Sequence, residues 1–227
     1  MENKSGFILI NKEEGPSSHD IIDQLRKITN IKKIGHAGTL DPFASGLLIV
    51  AIGREHTKKI EKFVKLDKKY EAELLLGVKT DSFDKCGKII EEYKGDEIKE
   101  KNLKASIEEI KNKKTQKPPM YSAKKVGGKK LYQLARKNIE IERKDHNINI
   151  FNISLEDYEW PKATIKVHCS SGTYIRSIAN DIGENLFCGA HLTSLKRTHI
   201  SDYSLKNSIK TKDLNKENWH KFLFYLN

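Results

Sequence analysis

Short apolar runs and stretches with helical spacing divide the first quarter of the chain into elements. The apolar runs at residues 7–10 and 47–52 are bounded by turn-forming residues and predict short buried strands. Between them, apolar residues recur three and four positions apart from Ile21 to Ile28 and predict a helix. Ser17 or Ser18 stands where the N-cap of that helix belongs. The predicted order is therefore strand, helix, strand.

The rest of the chain continues this mixture of elements. Alternation of apolar and polar residues predicts half-buried strands at residues 70–76 and 164–169. Helical spacing predicts helices at residues 57–66 and 102–110, and a further helix that Thr173 caps. The chain therefore has mixed α and β content.

Composition narrows the class of partner. The chain has 227 residues, 37% of them hydrophobic, which is enough for one sizeable core. Its 42 basic and 31 acidic residues leave a net charge of +11 and a pI of about 9.3. Such a surplus favours a polyanionic partner, which leaves RNA, DNA and anionic membranes open.

The apolar runs and the cysteines exclude several classes of protein. The longest apolar run, at residues 47–52, falls far short of the roughly 20 residues of a membrane-spanning helix. The first run is too short for a signal peptide, so we expect a cytoplasmic protein without membrane attachment. Cys86, Cys169 and Cys188 have no Cys-x-x-Cys spacing, and the histidines show no ligand spacing, so we expect neither a disulfide framework nor a metal site.

The surplus of positive charge is concentrated in one stretch. Residues 111–139 contain nine lysines and one arginine and no acidic residue, a charge of +10. Scattered lysines usually form a solvated surface. This segregated run also contains Pro118, Pro119, Tyr121 and a pair of glycines, which favours a lobe that contacts phosphates.

A second notable segment reads GHAGTLDP at residues 35–42. Its two glycines permit backbone dihedrals that are closed to other residues, and Pro42 excludes the helical region for Asp41. Asp41 is therefore predicted to lie on a turn outside regular structure. Taken alone, the segment can also be interpreted as an Asx-type turn whose only role is to close a loop.

This segment, with FASGLL after it, resembles the nucleophile loop of the TruB family of tRNA pseudouridine synthases. Further matches follow in the family's order over roughly residues 5 to 205. They are NKEEGPSSHD at 11–20, KKY at 68–70, the Gly, Thr, Ser, Asp and Gly of a predicted hairpin connection at 77–87, PPMYSA at 118–123, GKKLYQLAR at 128–136, HCSSGTYIR at 168–176 and GAHLTSLKRT at 189–198. The segment at 11–20 departs from the family at Glu13, usually proline, and at Ser17, usually threonine.

The resemblance implies a fold and a domain organisation. We expect an α+β fold with a mixed, largely antiparallel sheet and flanking helices, in a single catalytic domain spanning residues 1–227. A basic RNA-binding insertion is expected at about residues 100–140, with a short helix at its GKKLYQLAR motif. Many family members continue into a separate C-terminal RNA-binding domain, which we do not expect here. The tail at about residues 206–227 is instead predicted to be a helix docked on the core.

The resemblance also implies an activity. It predicts isomerisation of uridine to pseudouridine at position 55 in the T-loop of tRNA, with flipping of the target base and no cofactor. Asp41 matches the catalytic nucleophile, Arg176 its charged partner, and Tyr70 the ring that stacks on the uracil. From the residues alone, Tyr70 is a strand-end aromatic and Arg176, off the core face of its helix, a solvent-facing cation. Attack on the sugar, attack on the base and removal of a sugar proton all stay open.

The remaining predicted site residues are those expected to contact the substrate. His36 is a candidate wedge, or else a loop histidine bonded to backbone, and Leu195 is expected to line the uracil pocket. The other predicted substrate-binding residues are Lys12, Lys124, Lys125, Lys129, Lys130 and Tyr174.

The expected partner is the T-arm stem-loop of tRNA, bound by a monomer without a small-molecule cofactor. One alternative is a same-fold enzyme that acts on another structured RNA. A second is a non-catalytic RNA-binding or RNA-folding protein, which would have no need to retain Asp41, Tyr70 and Arg176 together.

Overall fold

The computed structural model describes residues 4–137 and 139–226. Residues 1–3 and 227 of the predicted domain, and residue 138 of the basic stretch, lie outside the described residues. The strands are β1 (Gly6–Lys12), β2 (Ile34–Ala37), β3 (Ser45–Ile52), β4 (Lys68–Leu76), β5 (Val78–Thr80), β6 (Ile89–Glu92), β7 (Thr115–Gln116), β8 (Lys125–Val126), β9 (Lys129–Lys130), β10 (His146–Asn147), β11 (Ile150–Glu159), β12 (Lys162–Cys169), β13 (Ala190–Ile200) and β14 (Tyr203–Ser204). The helices are α1 (Ser18–Thr29), α2 (Arg54–Thr57), α3 (Glu61–Val64), α4 (Glu100–Lys111), α5 (Leu131–Ala135) and α6 (Ile175–Asn185).

The chain separates into two units, one formed by the described parts of Met1–Tyr70 and Leu195–Asn227 and the other by Glu71–Ser194. In the first unit, β1 and β2 both pair antiparallel with β3, and β13 pairs parallel with the start of β3. In the second unit, β11 and β12 form a long antiparallel pair. The predicted α+β fold with a mixed, largely antiparallel sheet is confirmed. The prediction of a single domain with a basic insertion stays a prediction.

Strand β3 is apolar along almost its whole length because both of its faces are covered. Leu48, Val50 and Ile52 pack in a cluster with residues of α1. The alternate residues Leu47 and Ile49 pack in a second cluster that contains Phe63 and Phe224. The central strand of the first unit is therefore buried from both sides.

Helix α1 begins where the sequence predicts. Ser17 is the N-cap, and its hydroxyl accepts a bond from the backbone of Asp20 at 3.1 Å. The carboxylate of Asp20 accepts in return from the backbone N–H of Ser17 at 2.7 Å. This reciprocal capping box satisfies backbone donors that the first helical turn leaves open.

In the second unit, helices α4 and α6 pack on each other. The hydroxyl of Ser106 donates to the carbonyl of Ile182 at 3.4 Å. The predicted helix at 102–110 and the predicted short helix at Leu131–Ala135 are both present, as α4 and α5. Among the described residues, no helix combines the length and the hydrophobicity needed to cross a bilayer.

The predicted helix at residues 57–66 is wrong. The segment consists of the single-turn helices α2 and α3, joined by backbone bonds between residues three apart, such as Lys59 N–H to His56 O at 3.0 Å. After α3, the ammonium of Lys68 bonds the carbonyls of Val64 and Leu66. Those carbonyls are satisfied by a side chain, so no further helical turn is needed to satisfy them.

The predicted C-terminal helix is also wrong, although the tail does dock on the core. Trp219–Phe222 forms a 3₁₀ turn, and Trp219 is buried in the α1 cluster. Beyond it, Phe224 exchanges two backbone hydrogen bonds with Phe7 of β1, at 2.8 and 2.9 Å. The tail therefore ends as an extended segment beside a sheet edge.

We predict that Gly46→Ala destabilises the first unit by about 2 kcal/mol more than Gly15→Ala does. Both glycines have a positive φ, +110° and +108°, so the backbone strain of an alanine is matched. A Cβ at Gly46 would lie 2.6 Å from the backbone nitrogen of Arg197, whereas one at Gly15 meets nothing within 4 Å. Urea unfolding of both variants measures the difference, and equal losses would show that close packing is not required there.

Candidate active site

Asp41 lies on a turn between β2 and β3, as predicted. The carbonyl of Asp41 accepts from the backbone N–H of Ala44 at 3.0 Å, which closes the turn around Pro42. The Asp41 side chain is half-buried. The start of the segment differs from the prediction, because Ile34–Ala37 pairs with β3 as strand β2. His36 is thus a strand residue.

Buried side chains bond the backbone of this turn at several points. The guanidinium of Arg197 is 2% exposed and donates to Leu47 O at 2.8 Å and to Gly38 O at 3.0 Å. The hydroxyl of Ser18 accepts from Leu40 N–H at 2.9 Å and lies 3.1 Å from Leu40 O. These partners lie 22 to 159 residues apart in sequence, so helical or strand periodicity does not indicate them.

Lys12 is fully buried and bonds the same turn. Its ammonium donates to Glu13 O at 3.0 Å, Pro16 O at 2.7 Å and Pro42 O at 3.3 Å. These bonds match the three N–H donors of an ammonium. Burial lowers the pKa of Lys12 to about 8, and the negative charge of Asp41 partly offsets that effect. Through the bond to Pro42 O, Lys12 stabilises the backbone of the Asp41 turn. The predicted contact of Lys12 with RNA stays a prediction.

His36, Tyr70 and Leu195 also belong to the first unit. Burial, and then the charge of Arg197, lower the pKa of His36, so its ring is uncharged at neutral pH. Tyr70 is half-buried on β4. Leu195 is buried on β13, directly before the residue that pairs with the first residue of β3. Their predicted contacts with the target base stay predictions.

Arg176, in the second unit, is buried rather than solvent-facing. Its guanidinium is 4% exposed and donates to Ser82 O at 2.9 Å and to Tyr121 O at 2.6 Å. It also forms an ion pair with Asp84 at 3.3 Å. A cation in the first turn of a helix calls for an anion nearby, and Asp84 supplies one. The pairing of Arg176 with Asp41 stays a prediction.

The family resemblance indicates Asp84 only as part of a loop, and no local pattern in the sequence pairs it with Arg176. The predicted hairpin connection is confirmed, since β5 and β6 pair across it. Within it, the carboxylate of Asp84 accepts from the hydroxyl of Ser82 at 2.7 Å and from the backbone of Cys86 at 2.9 Å. A serine two residues before an aspartate in a glycine-bounded loop is the signal that could have suggested such a fixed carboxylate.

The start of α6 differs from the prediction. The helix begins at Ile175 with Tyr174 as N-cap, so Thr173 is not its cap. The hydroxyl of Thr173 instead donates to Ser170 O at 2.9 Å, within the preceding turn. Tyr174 is half-buried, and its ring meets that of His146 edge-on at 5.9 Å.

The four lysines predicted to bind RNA lie together on one small hairpin. Strands β8 and β9 pair across Gly127 and Gly128, whose φ angles of +57° and +80° fit a two-residue hairpin turn. The side chains of Lys125 and Lys129 are exposed, while those of Lys124 and Lys130 are half-buried. The ring of Tyr132 lies 5.6 Å from the ammonium of Lys130 and 5.4 Å from the guanidinium carbon of Arg136. The hairpin is a cluster of cations, and its contact with RNA stays a prediction.

The chain matches two family models and resembles proteins of known name. Residues 26–175 match the family model described as TruB family pseudouridylate synthase, N-terminal domain, and residues 176–222 match the model of the tRNA pseudouridylate synthase B C-terminal domain. A protein of Clostridium tetani named tRNA pseudouridine synthase B is 42% identical over 96% of this chain and 75% of its own length. One of the same name from Clostridium kluyveri is 43% identical, with the same shares covered.

Among solved structures, a chain of a Cbf5-Nop10-Gar1 complex is similar to this one. The TM-score is 0.73 at 27% sequence identity, and the match covers 94% of this chain. It covers 54% of the other chain, so the present chain spans about half of that protein's length.

We predict that the pH dependence of stability differs between the wild type and Lys12→Met. The pKa of Lys12 is about 8 in the folded state against an ordinary value of 10.5. Between these values the unfolded state binds more protons than the folded state, so the free energy of unfolding rises with pH. The wild type should therefore gain up to about 3 kcal/mol relative to Lys12→Met between pH 8 and 10.5. Urea unfolding of both proteins across this range measures the gain, and parallel profiles would contradict it.

Proposed function

The chain belongs to the TruB family of pseudouridylate synthases, and we propose on that premise that it isomerises uridine 55 in the T-loop of tRNA. As a member of the family it is an isomerase, and its curated relatives are named for action on tRNA. The observation that carries the proposal is the Asp41 turn, which presents one carboxylate on a backbone that Lys12, Ser18 and Arg197 hold in place.

The reaction is an isomerisation, so uridine and pseudouridine have the same atomic composition. The bond between the sugar and N1 of uracil breaks, the base turns, and a bond from the sugar to C5 forms. The proton that C5 carried is lost, and N1 gains one. Because the glycosidic bond lies inside a folded loop, the uridine has to flip into the protein before reaction.

Asp41 is the proposed nucleophile, and its surroundings support this role. It has to be ionised to act. The attraction between Asp41 and the ammonium of Lys12 is mutual, so it favours the charged form of the carboxylate. Hydrogen bonds to Gly38 O, Leu40 N–H and Pro42 O restrict the backbone around it, so the carboxylate loses little freedom on meeting the substrate.

Binding of the T-arm is proposed to rest on phosphate contacts and base stacking. The lysine hairpin offers several cations on a short, turn-defined segment. Tyr70 is proposed to stack on the flipped uracil, with Leu195 closing the pocket. The absence of acidic residues from 111–139 supports this surface as the one that meets the RNA backbone. We expect the protein to act in the cytoplasm.

A second candidate substrate is another structured RNA, because phosphate contacts from the lysine hairpin would not depend on nucleotide sequence. The catalytic step would be the same, and only the RNA would differ. A non-catalytic RNA-binding role is less well supported, because a binding scaffold has no use for a carboxylate held on a fixed turn.

We predict that Asp41→Asn forms no detectable pseudouridine and binds tRNA within about twofold of the wild type, because phosphate contacts carry most of the affinity. The measurement is pseudouridine formation on unmodified tRNA, with binding measured separately. Asp23→Asn, on the half-exposed face of α1, is the matched control and should react at the wild-type rate. Pseudouridine formation by Asp41→Asn near the wild-type rate would refute the role of Asp41.

We predict that replacing Lys124, Lys125, Lys129 and Lys130 by glutamine weakens tRNA binding and flattens its salt dependence. Each lost phosphate contact lowers the logarithmic salt slope by roughly 0.7 to 0.9. The rate at saturating tRNA should change little. The control is the same number of exposed lysines replaced near α2 and α3, at positions 58, 59, 62 and 65. An unchanged slope in the hairpin variant would place the phosphate contacts elsewhere.

A further inference from the structure

Gln116 makes an unusual contact within the basic stretch. It lies on β7 and is 1% exposed. Its side-chain amide donates to Tyr174 O at 3.1 Å and accepts from Tyr174 N–H at 2.8 Å. One side chain therefore bonds both backbone groups of a residue 58 positions away, as a neighbouring strand would.

The residue that Gln116 bonds stands at a sensitive place. Tyr174 is the N-cap of α6, and its own side chain makes no capping bond. Arg176 follows two residues later, in the first turn of the helix. Without Gln116, the Tyr174 N–H would lose its hydrogen-bond partner, and Tyr174 O would retain only the bond from Ile178 N–H at 3.2 Å. The backbone at the start of α6 is therefore held in part by one buried amide.

Other contacts tie the same region to the basic stretch. The carbonyl of Tyr121 accepts from the guanidinium of Arg176 at 2.6 Å. Strand β10 pairs with β7, and the ring of its His146 lies 3.0 Å from Gly172 O. The segment before α6 therefore contacts β10, which pairs with β7 of the basic stretch at residues 111–139. The guanidinium of Arg176, in the first turn of α6, bonds Tyr121 within the same stretch.

We propose that Gln116 is a positioning residue, which fixes the backbone of Tyr174 and thereby the orientation of the Arg176 guanidinium. The inference deepens the proposed function and rests on it, since the family resemblance implies that Arg176 is the charged partner of the nucleophile Asp41. Gln116 is buried and its amide is engaged with backbone, so it has no direct part in binding RNA. Loss of the Gln116 amide should slow the chemical step and leave the affinity for tRNA unchanged.

The test uses two variants of the full chain. Gln116→Met removes both hydrogen bonds at similar volume. Gln116→Glu keeps the acceptor, but its carboxylate loses the donor and faces the carbonyl of Tyr174. When protonated, the same carboxyl regains a donor and an acceptor, so it can restore both bonds. Burial disfavours the charged form, which helps protonation at mildly acidic pH.

The expected result is a split between rate and affinity. At saturating tRNA and pH 8, both variants should react at least tenfold more slowly than the wild type in single turnover, with dissociation constants within twofold. On lowering the pH to 5.5, Gln116→Glu should recover relative to the wild type, while Gln116→Met should not. Gln24→Met, on the exposed face of α1, is the control and should match the wild type throughout.

Two results would overturn the proposal. One is a wild-type rate in both variants. The other is a loss that is equal in both at every pH and is accompanied by weaker tRNA binding, which would indicate general disruption. If Gln116→Met fails to fold, the pH-dependent recovery of Gln116→Glu still tests the positioning role.

If the wild type makes no pseudouridine, the proposed function fails. Amide exchange at Tyr174 then decides the positioning role, since it should be faster in Gln116→Glu at pH 8 than in the wild type and should slow again at pH 5.5.

Discussion

The structure of the first unit depends on a buried guanidinium that bonds backbone carbonyls. The turn that carries Asp41 lies outside regular structure, so its carbonyls have no strand or helix partners of their own. Arg197 bonds Gly38 O before the turn and Leu47 O beyond it. Gly46 lacks a side chain where the backbone of Arg197 passes. The two hydrogen bonds offset the cost of burying the guanidinium at this point.

The same solution recurs at the other sites. Lys12 bonds Pro42 O, Gln116 bonds Tyr174, and Arg176 bonds the carbonyls of Ser82 and Tyr121. In each case a buried polar side chain holds an irregular segment that carries, or precedes, a residue proposed for function. A loop can place a functional group in orientations that helices and strands do not offer, but it lacks their regular hydrogen bonds. Buried side chains that bond the loop backbone supply the missing rigidity.

The sequence predicted what periodicity and local chemistry encode. The strands around residues 7–10 and 47–52 and the N-cap of α1 follow from patterns within a few residues. The break between α2 and α3 escaped prediction because bonds between residues three apart leave the apolar spacing unchanged. Arg197, Asp84 and Gln116 escaped as site residues because their partners are distant in sequence. Family resemblance indicated Asp41 and Arg176, but the burial of Arg176 and its bond to Asp84 required the structure.

We propose that this chain converts uridine 55 of tRNA, and mapping the modified nucleotide tests that proposal. Purified protein is incubated with an unmodified tRNA transcript and with one that carries cytidine at position 55, and pseudouridine is located at single-nucleotide resolution. We expect near-complete conversion at position 55 of the first transcript and no pseudouridine in the second. Pseudouridine at another position, or none in either transcript, would contradict it.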